Sequence, residues 1–167
     1  DHAVAAARAN GARIPVLHRT TGLRYGLEAR AYDDGAAFRV IVPGSGQRTP
    51  DAAASFRFPT GSFVWSHGLR DHYEAQYEKR RIDDIPAGDW AAPPITLKLP
   101  GTGGYAAVLE ANLRNYAGMV LQADGNRNYR ERLAHTAPAG YPFTLRFGDA
   151  EAARLAKPAS VEGTITT

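Results

Sequence analysis

The sequence contains no cysteine, which excludes disulfide bonds, thiolate metal sites and cysteine nucleophiles. No apolar run approaches the roughly 20 residues that a membrane-spanning helix needs. Neither sign of charge dominates, because 20 Lys and Arg face 17 Asp and Glu among the 167 residues. Hydrophobic residues make up 44% and charged residues 22%, so the composition is that of a globular protein and not of a disordered chain.

The single dense basic run does not favour a nucleic-acid partner. Residues 79–81 are Lys-Arg-Arg, but Glu78 precedes them and Asp83 and Asp84 follow. A surface that follows a phosphate backbone needs positive charge that is not opposed by neighbouring acids. The sequence therefore predicts no nucleic-acid binding.

Apolar and polar residues alternate along most of the chain, which is typical of half-buried β-strands. The clearest case is 22–43, where two alternating runs flank Asp33-Asp34-Gly35. We predict one β-hairpin there, with Gly35 taking the positive φ of a tight turn. Further strands, bounded by Pro and Gly, are predicted at 55–58, 63–65, 95–99, 105–109, 143–147 and 161–166.

Helix is scarce in the sequence. Residues 3–9 are rich in alanine but lie at a terminus, where fraying is expected. Asp149 to Lys157 is predicted as one short helix, because acids open it, a base closes it and Pro158 follows. The predicted fold class is therefore all-β, an antiparallel β-sandwich with one short helix, in a single domain over 1–167. The small apolar strand 105–109 is predicted to be central in its sheet.

Few residues carry the patterns of known catalytic or metal sites. His67 and His72 are five residues apart, match no metal-binding spacing and are predicted to be solvated loop histidines. Gly101 to Gly104 lies between two strands and is predicted to be a turn. Asp71, Glu74 and Glu78 could form an acidic cluster, but the neighbouring Arg and Lys side chains could equally pair with them, and pairing is favoured.

Glu110 is the strongest single candidate, because it follows the apolar strand 105–109 directly. A carboxylate at the end of a buried strand is costly unless it finds a partner. That partner could be an arginine, backbone N–H groups or a metal ion. On the residues alone, pairing with Arg114 is favoured.

Three blocks of sequence resemble, in order and spacing, the N-terminal domain of glycoside hydrolase family 97. They are LRYGLEARAYDDGAAFRVIVP (23–43), FRFPTGSFVWSHGLRDHYEAQY (56–77) and APPITLKLPGTGGYAAVLEANLRNYAGMVL (92–121). The resemblance implies α-glucosidase or α-galactosidase enzymes with an N-terminal β-super-sandwich, similar to galactose mutarotase, and a central (β/α)8 barrel. It also implies a periplasmic or extracellular location. On this basis residues 1–167 are expected to be the latter part of the N-terminal domain.

The resemblance also implies a calcium ion at the active site, with one glutamate ligand supplied by the N-terminal domain. The match of 110–116 to Glu-Ala-x-Leu-x-x-Tyr assigns that role to Glu110. The family often has a small residue where this chain has Asn112. Trp65, Tyr73 and Glu74 are expected to contact the α-linked oligosaccharide, and the alternative for the two aromatic residues is packing.

Three functions follow as alternatives. The first is an accessory domain that shapes the active site beside the catalytic barrel of the same full-length chain and is inactive alone, because no pair of catalytic carboxyl groups is recognisable. The second is a stand-alone carbohydrate-binding or interaction module, which should bind a sugar by itself. The third is a structural domain in which Glu110 pairs with Arg114.

Overall fold

A computed structural model of the chain describes residues 7–44, 54–69, 75–113 and 118–133. Within these ranges the regular structure is eleven β-strands and one turn of 3₁₀ helix, Ile82–Asp84. The described residues fall into two compact units, 7–44 and 54–133. No helix in the described ranges is long and apolar enough to cross a membrane.

The first unit is a three-stranded antiparallel sheet. Its strands are β1 (Asn10–Leu17), β2 (Arg24–Ala31) and β3 (Ala36–Ile41), in that spatial order. Pairing of β2 with β3 confirms the hairpin predicted over 22–43. The predicted role of Gly35 was wrong, because its φ is not positive. A four-residue connection, closed by the Tyr32 N–H donated to the Gly35 carbonyl at 2.8 Å, needs no left-handed residue.

The second unit contains two four-stranded antiparallel sheets. Strands β4 (Ser55–Arg57), β7 (Trp90–Ala91), β10 (Met119–Ala123) and β11 (Asn128–Leu133) form one, in the order β4-β11-β10-β7. Strands β5 (Phe63–Ser66), β6 (Glu78–Arg81), β8 (Ile95–Lys98) and β9 (Tyr105–Val108) form the other, in the order β6-β5-β8-β9. The all-β antiparallel prediction is confirmed.

Side chains from both sheets of the second unit make one core. Val64 and Leu97 contribute from one sheet, and Leu121 and Tyr129 from the other; all four are fully or almost fully buried. Burying a large apolar side chain stabilises a fold by about 1.5–3 kcal/mol. This shared core makes the unit a β-sandwich.

The predicted strands differ from the structure in the position of β9 and in their number. Among the described strands β9 lies at the edge of its sheet and not in the centre, and the Tyr105 side chain at its start is 68% exposed. The strands β1, β6, β7, β10 and β11 were not predicted, and β7 lies in a segment, 83–94, that was predicted to be a loop. The turn between β8 and β9 is confirmed, since the Leu99 N–H donates to the Gly104 carbonyl at 2.9 Å.

Several predictions fall outside the described residues. They are the strands at 143–147 and 161–166 and the helix from Asp149 to Lys157. Of the alanine-rich stretch 3–9, residues 7–9 are described, and they are not helical. The expectation of one domain over 1–167 stays a prediction.

Candidate functional site

Glu110 lies in the connection between the two sheets of the sandwich. β9 ends at Val108 in one sheet, and β10 begins at Met119 in the other. The Glu110 side chain reaches the far end of this connection, where its Oε2 accepts the backbone N–H of Met119 at 2.7 Å. The predicted position after a strand is confirmed, but the strand is not buried as predicted, since β9 has exposed residues and lies at the edge of the described sheet. One of the partner types foreseen, a backbone N–H, is present.

The second carboxylate oxygen of Glu110 lies beside a glycine. A Cβ placed on Gly118 would come within 3.5 Å of Oε1, so the absence of a side chain leaves that oxygen open on this side. Within the described part of the chain, the Met119 N–H is the one hydrogen-bond donor recorded for this carboxylate. Arg114, the alternative partner, lies outside the described residues.

The backbone of the connection explains one departure from the family pattern. Asn112 has a φ of 58°, in the left-handed region. Asparagine adopts this conformation more readily than most residues other than glycine. Asparagine is therefore compatible with the backbone at this position, as glycine would be.

A second carboxyl group, Glu131 on β11, lies near Glu110 and was not foreseen from the sequence. Burial raises the pKa of Glu131, and the nearby negative charge of Glu110 raises it further, whereas a backbone hydrogen bond from Ala54 works in the opposite direction. Its neighbours along the strand, Tyr129 and Leu133, are both buried. Their period-two spacing places Glu131 on the core face, and that spacing is the signal that could have identified it.

The predicted sugar-contacting residues are only partly described. Trp65 lies on β5, between the buried Val64 and Ser66, and therefore on the outer face of its sheet. Its ring is 6.1 Å from that of Tyr105, centroid to centroid. Glu110 instead accepts a hydrogen bond from the first residue of β10, which belongs to the other sheet. The other two, Tyr73 and Glu74, lie outside the described residues.

The histidine prediction was wrong for one of its two members. His67 is 5% exposed, its Nδ1 lies 2.9 Å from the Gly68 carbonyl oxygen, and its ring packs edge-on against Tyr77. His67 directly follows the last residue of β5, and its side chain is therefore packed inside the unit. His72 lies outside the described residues.

The described ranges hold no group of three or more His, Asp or Glu residues that could bind a metal ion. Of the acidic cluster considered above, only Glu78 is described, and it is exposed. Of the basic run, Arg80 pairs with Asp89 at 2.6 Å and Arg81 lies 3.7 Å from Asp83, whereas no ion pair is found for Lys79 among the described residues. The described residues can therefore provide the Glu110 carboxylate as one ligand for a cation, but they cannot provide a complete set of ligands.

Comparisons with known proteins agree with this architecture. Residues 2–151 match the profile of the family described as "Glycosyl-hydrolase 97 N-terminal". A curated relative, the "Probable retaining alpha-galactosidase" of Streptomyces bingchenggensis (strain BCW-1), is 30% identical over 112 residues. That match covers 65% of this chain and 17% of the relative.

A solved structure shows the same fold. It is a glycoside hydrolase family 97 enzyme from Pseudoalteromonas sp. strain K8 in complex with panose, with a TM-score of 0.56 and 18% identity. The match covers 78% of this chain and 24% of that one. The chain thus spans about a quarter or less of the length of each of these proteins.

Proposed function

The chain belongs to the glycosyl-hydrolase 97 N-terminal family, and from that premise we propose that it is the accessory domain of a calcium-dependent glycoside hydrolase. The substrate is an α-galactoside or an α-glucoside, and the similarity to a protein named as an α-galactosidase supports this class. The chain forms part of the wall of the active site, whereas the catalytic groups belong to a (β/α)8 barrel of the same full-length protein. The enzyme works in the periplasm or outside the cell.

One observation carries the metal part of the proposal, namely the way in which the Glu110 carboxylate is held. The Met119 N–H fixes Oε2 at 2.7 Å, while Oε1 faces the side on which Gly118 has no side chain. Calcium takes six to eight oxygen ligands, commonly from several carboxylates and from water. A single oriented carboxylate is therefore suitable as one ligand of a site that other parts of the protein complete.

The chain's own residues orient the ligand and do no bond breaking. The N–H of Met119 restricts the Glu110 side chain, so less freedom is lost when a cation binds. When bound, calcium would supply positive charge that stabilises negative charge on the departing glycosidic oxygen. Glycoside hydrolysis requires two carboxyl groups about 5–5.5 Å or 6.5–9.5 Å apart, and we assign that pair to the barrel. The chain alone is expected to be inactive.

Replacement of one carboxylate in the full-length protein tests the proposal. Glu110→Gln keeps an oxygen that can accept the Met119 N–H but removes the negative charge. We expect calcium affinity, measured by titration of the chelator-treated protein, to fall at least tenfold, and glycosidase activity to recover partly in excess calcium. The matched control is Glu78→Gln, which alters an exposed carboxylate on β6. Equal calcium affinity in wild type and Glu110→Gln would overturn the metal assignment.

A further inference from the structure

The outer face of the β6-β5-β8-β9 sheet carries three aromatic rings and three cations. The strand register places Lys79 opposite Trp65 and Lys98 opposite both Phe63 and Tyr105. Directly opposed residues in antiparallel strands share one face of the sheet. We call this surface the aromatic-basic face; its members are Phe63, Trp65, Lys79, Arg81, Lys98 and Tyr105.

The rings and one ammonium group make a continuous strip across the sheet. Lys79 Nζ lies 4.7 Å from the centroid of the Phe63 ring and 5.1 Å from that of Trp65. The Trp65 ring in turn lies 6.1 Å from that of Tyr105, on the opposite edge strand. Tyr105 is 68% exposed, so the strip is open to solvent at that end.

The lysines of this face have no carboxylate partner in the described part of the chain. Every ion pair recorded there involves an arginine, and neither Lys79 nor Lys98 takes part. Among the described residues, the acids near Arg81 are Asp83 at 3.7 Å and Asp84 at 4.0 Å. The face thus combines the exposed ring of Tyr105 and the half-buried rings of Phe63 and Trp65 with two ammonium groups that no carboxylate of the described residues neutralises.

We propose that the aromatic-basic face binds a glycan that carries carboxylate groups, such as a chain of uronic acids. Aromatic rings offer flat apolar surface to the C–H faces of sugars, and ammonium groups donate charge-assisted hydrogen bonds to carboxylates. This goes beyond the proposed role of Glu110 and requires no calcium.

The position of Lys79 favours an acidic glycan over a neutral one. Its ammonium group occupies the faces of Phe63 and Trp65, and the attraction between cation and ring must be broken before a sugar can stack there. A neutral sugar gives the displaced ammonium group no new partner, whereas a carboxylate does. Nucleic acid is disfavoured because Glu78, Asp83 and Asp84 flank the cations.

Affinity electrophoresis of the full-length protein tests the proposal, with polygalacturonate in the gel. The matched neutral probe is the same polymer with its carboxylates methyl-esterified. EDTA is present throughout, because calcium crosslinks polygalacturonate and because the result must not depend on the Glu110 site. The variants are the double substitution Lys79→Gln with Lys98→Gln, and Tyr105→Ala, which removes an exposed ring. Arg57→Gln, an exposed strand cation on β4 of the other sheet, is the control.

We expect wild type and Arg57→Gln to be retarded by polygalacturonate, and the double lysine variant and Tyr105→Ala to lose at least fivefold in affinity. The esterified polymer should bind at least tenfold more weakly. Absence of retardation in the wild type would overturn the proposal. The proposal would also be overturned if single-stranded oligothymidine retarded the wild-type protein as strongly as polygalacturonate and if Tyr105→Ala did not weaken binding. That result would show that the face attracts any polyanion. Retention of polygalacturonate binding in Glu110→Gln would show that the aromatic-basic face acts independently of the calcium site.

Discussion

At the scale of single residues, the chemistry of Glu110 could be predicted only in part. Its position after an apolar strand is visible in the sequence, and so is its need for a partner. The Met119 N–H could not be foreseen, because it depends on β9 and β10 lying in different sheets of the sandwich. Glu131 was not predicted, because the β11 sequence NYRERL is mostly polar and its core-facing side is apparent only when the strand register is known.

The Glu110 hydrogen bond should stabilise the fold independently of any metal. Glu110→Ala leaves the partly buried Met119 N–H without its acceptor, which typically costs about 1–3 kcal/mol. Glu110→Gln retains an acceptor and should cost less than about 1 kcal/mol. Urea unfolding of both variants in the presence of a chelator measures the difference. Equal losses would show that the hydrogen bond contributes little.

Glu28, on β2, should make the stability of the first unit depend on pH. Its carboxylate accepts hydrogen bonds from Arg39 at 2.7 Å and Arg30 at 2.9 Å, and these bonds hold its pKa below the usual range. A lowered folded-state pKa means that the stabilisation is present above the ordinary value of 4.5 and is lost as pH falls through the lowered value.

Glu28→Gln should therefore lower the melting temperature at pH 7, and the gap to wild type should close in strong acid. High salt should reduce the gap at pH 7, because these groups are near solvent. Asp34→Asn, at an exposed position in the turn of the same hairpin, is the control and should show no such dependence. A gap that is constant from neutral to acidic pH would contradict this account.

At the scale of secondary-structure elements, prediction succeeded where period-two alternation is bounded by Pro or Gly. β8 is the clearest example, since its alternating burial follows its alternating sequence. β10 was not predicted, because Met119 to Leu121 are all buried and the strand shows no alternation of apolar and polar residues there. The edge position of β9 was also hidden, because strand order depends on pairing between segments distant in sequence.

The difference between buried and edge elements is measurable. Leu121→Ala in β10 removes a fully buried side chain and should lower the free energy of unfolding by about 2–5 kcal/mol. Leu109→Ala, just after the edge strand β9, changes a leucine that is 61% exposed and should have an effect within about 0.5 kcal/mol. Chemical denaturation of the two variants compares them. Similar losses would indicate that the core extends over β9.

At the scale of the whole molecule, the described chain contains a β-sandwich unit and a further three-stranded sheet, and the two proteins that it matches are much longer. The three sequence blocks predicted this family correctly because each combines a strand pattern with fixed turn residues. Substrate identity could not be predicted from these residues, since a fold does not determine which ligand binds. We propose a supporting chemical role for this chain through Glu110.

The crystal structure of the full-length protein with calcium is the most direct test of that role. We predict a calcium ion whose ligands include a Glu110 carboxylate oxygen at about 2.3–2.6 Å, with the Met119 N–H still bound to the same side chain. A calcium site completed without any ligand from this chain, with both Glu110 oxygens bonded to protein donors, would contradict it.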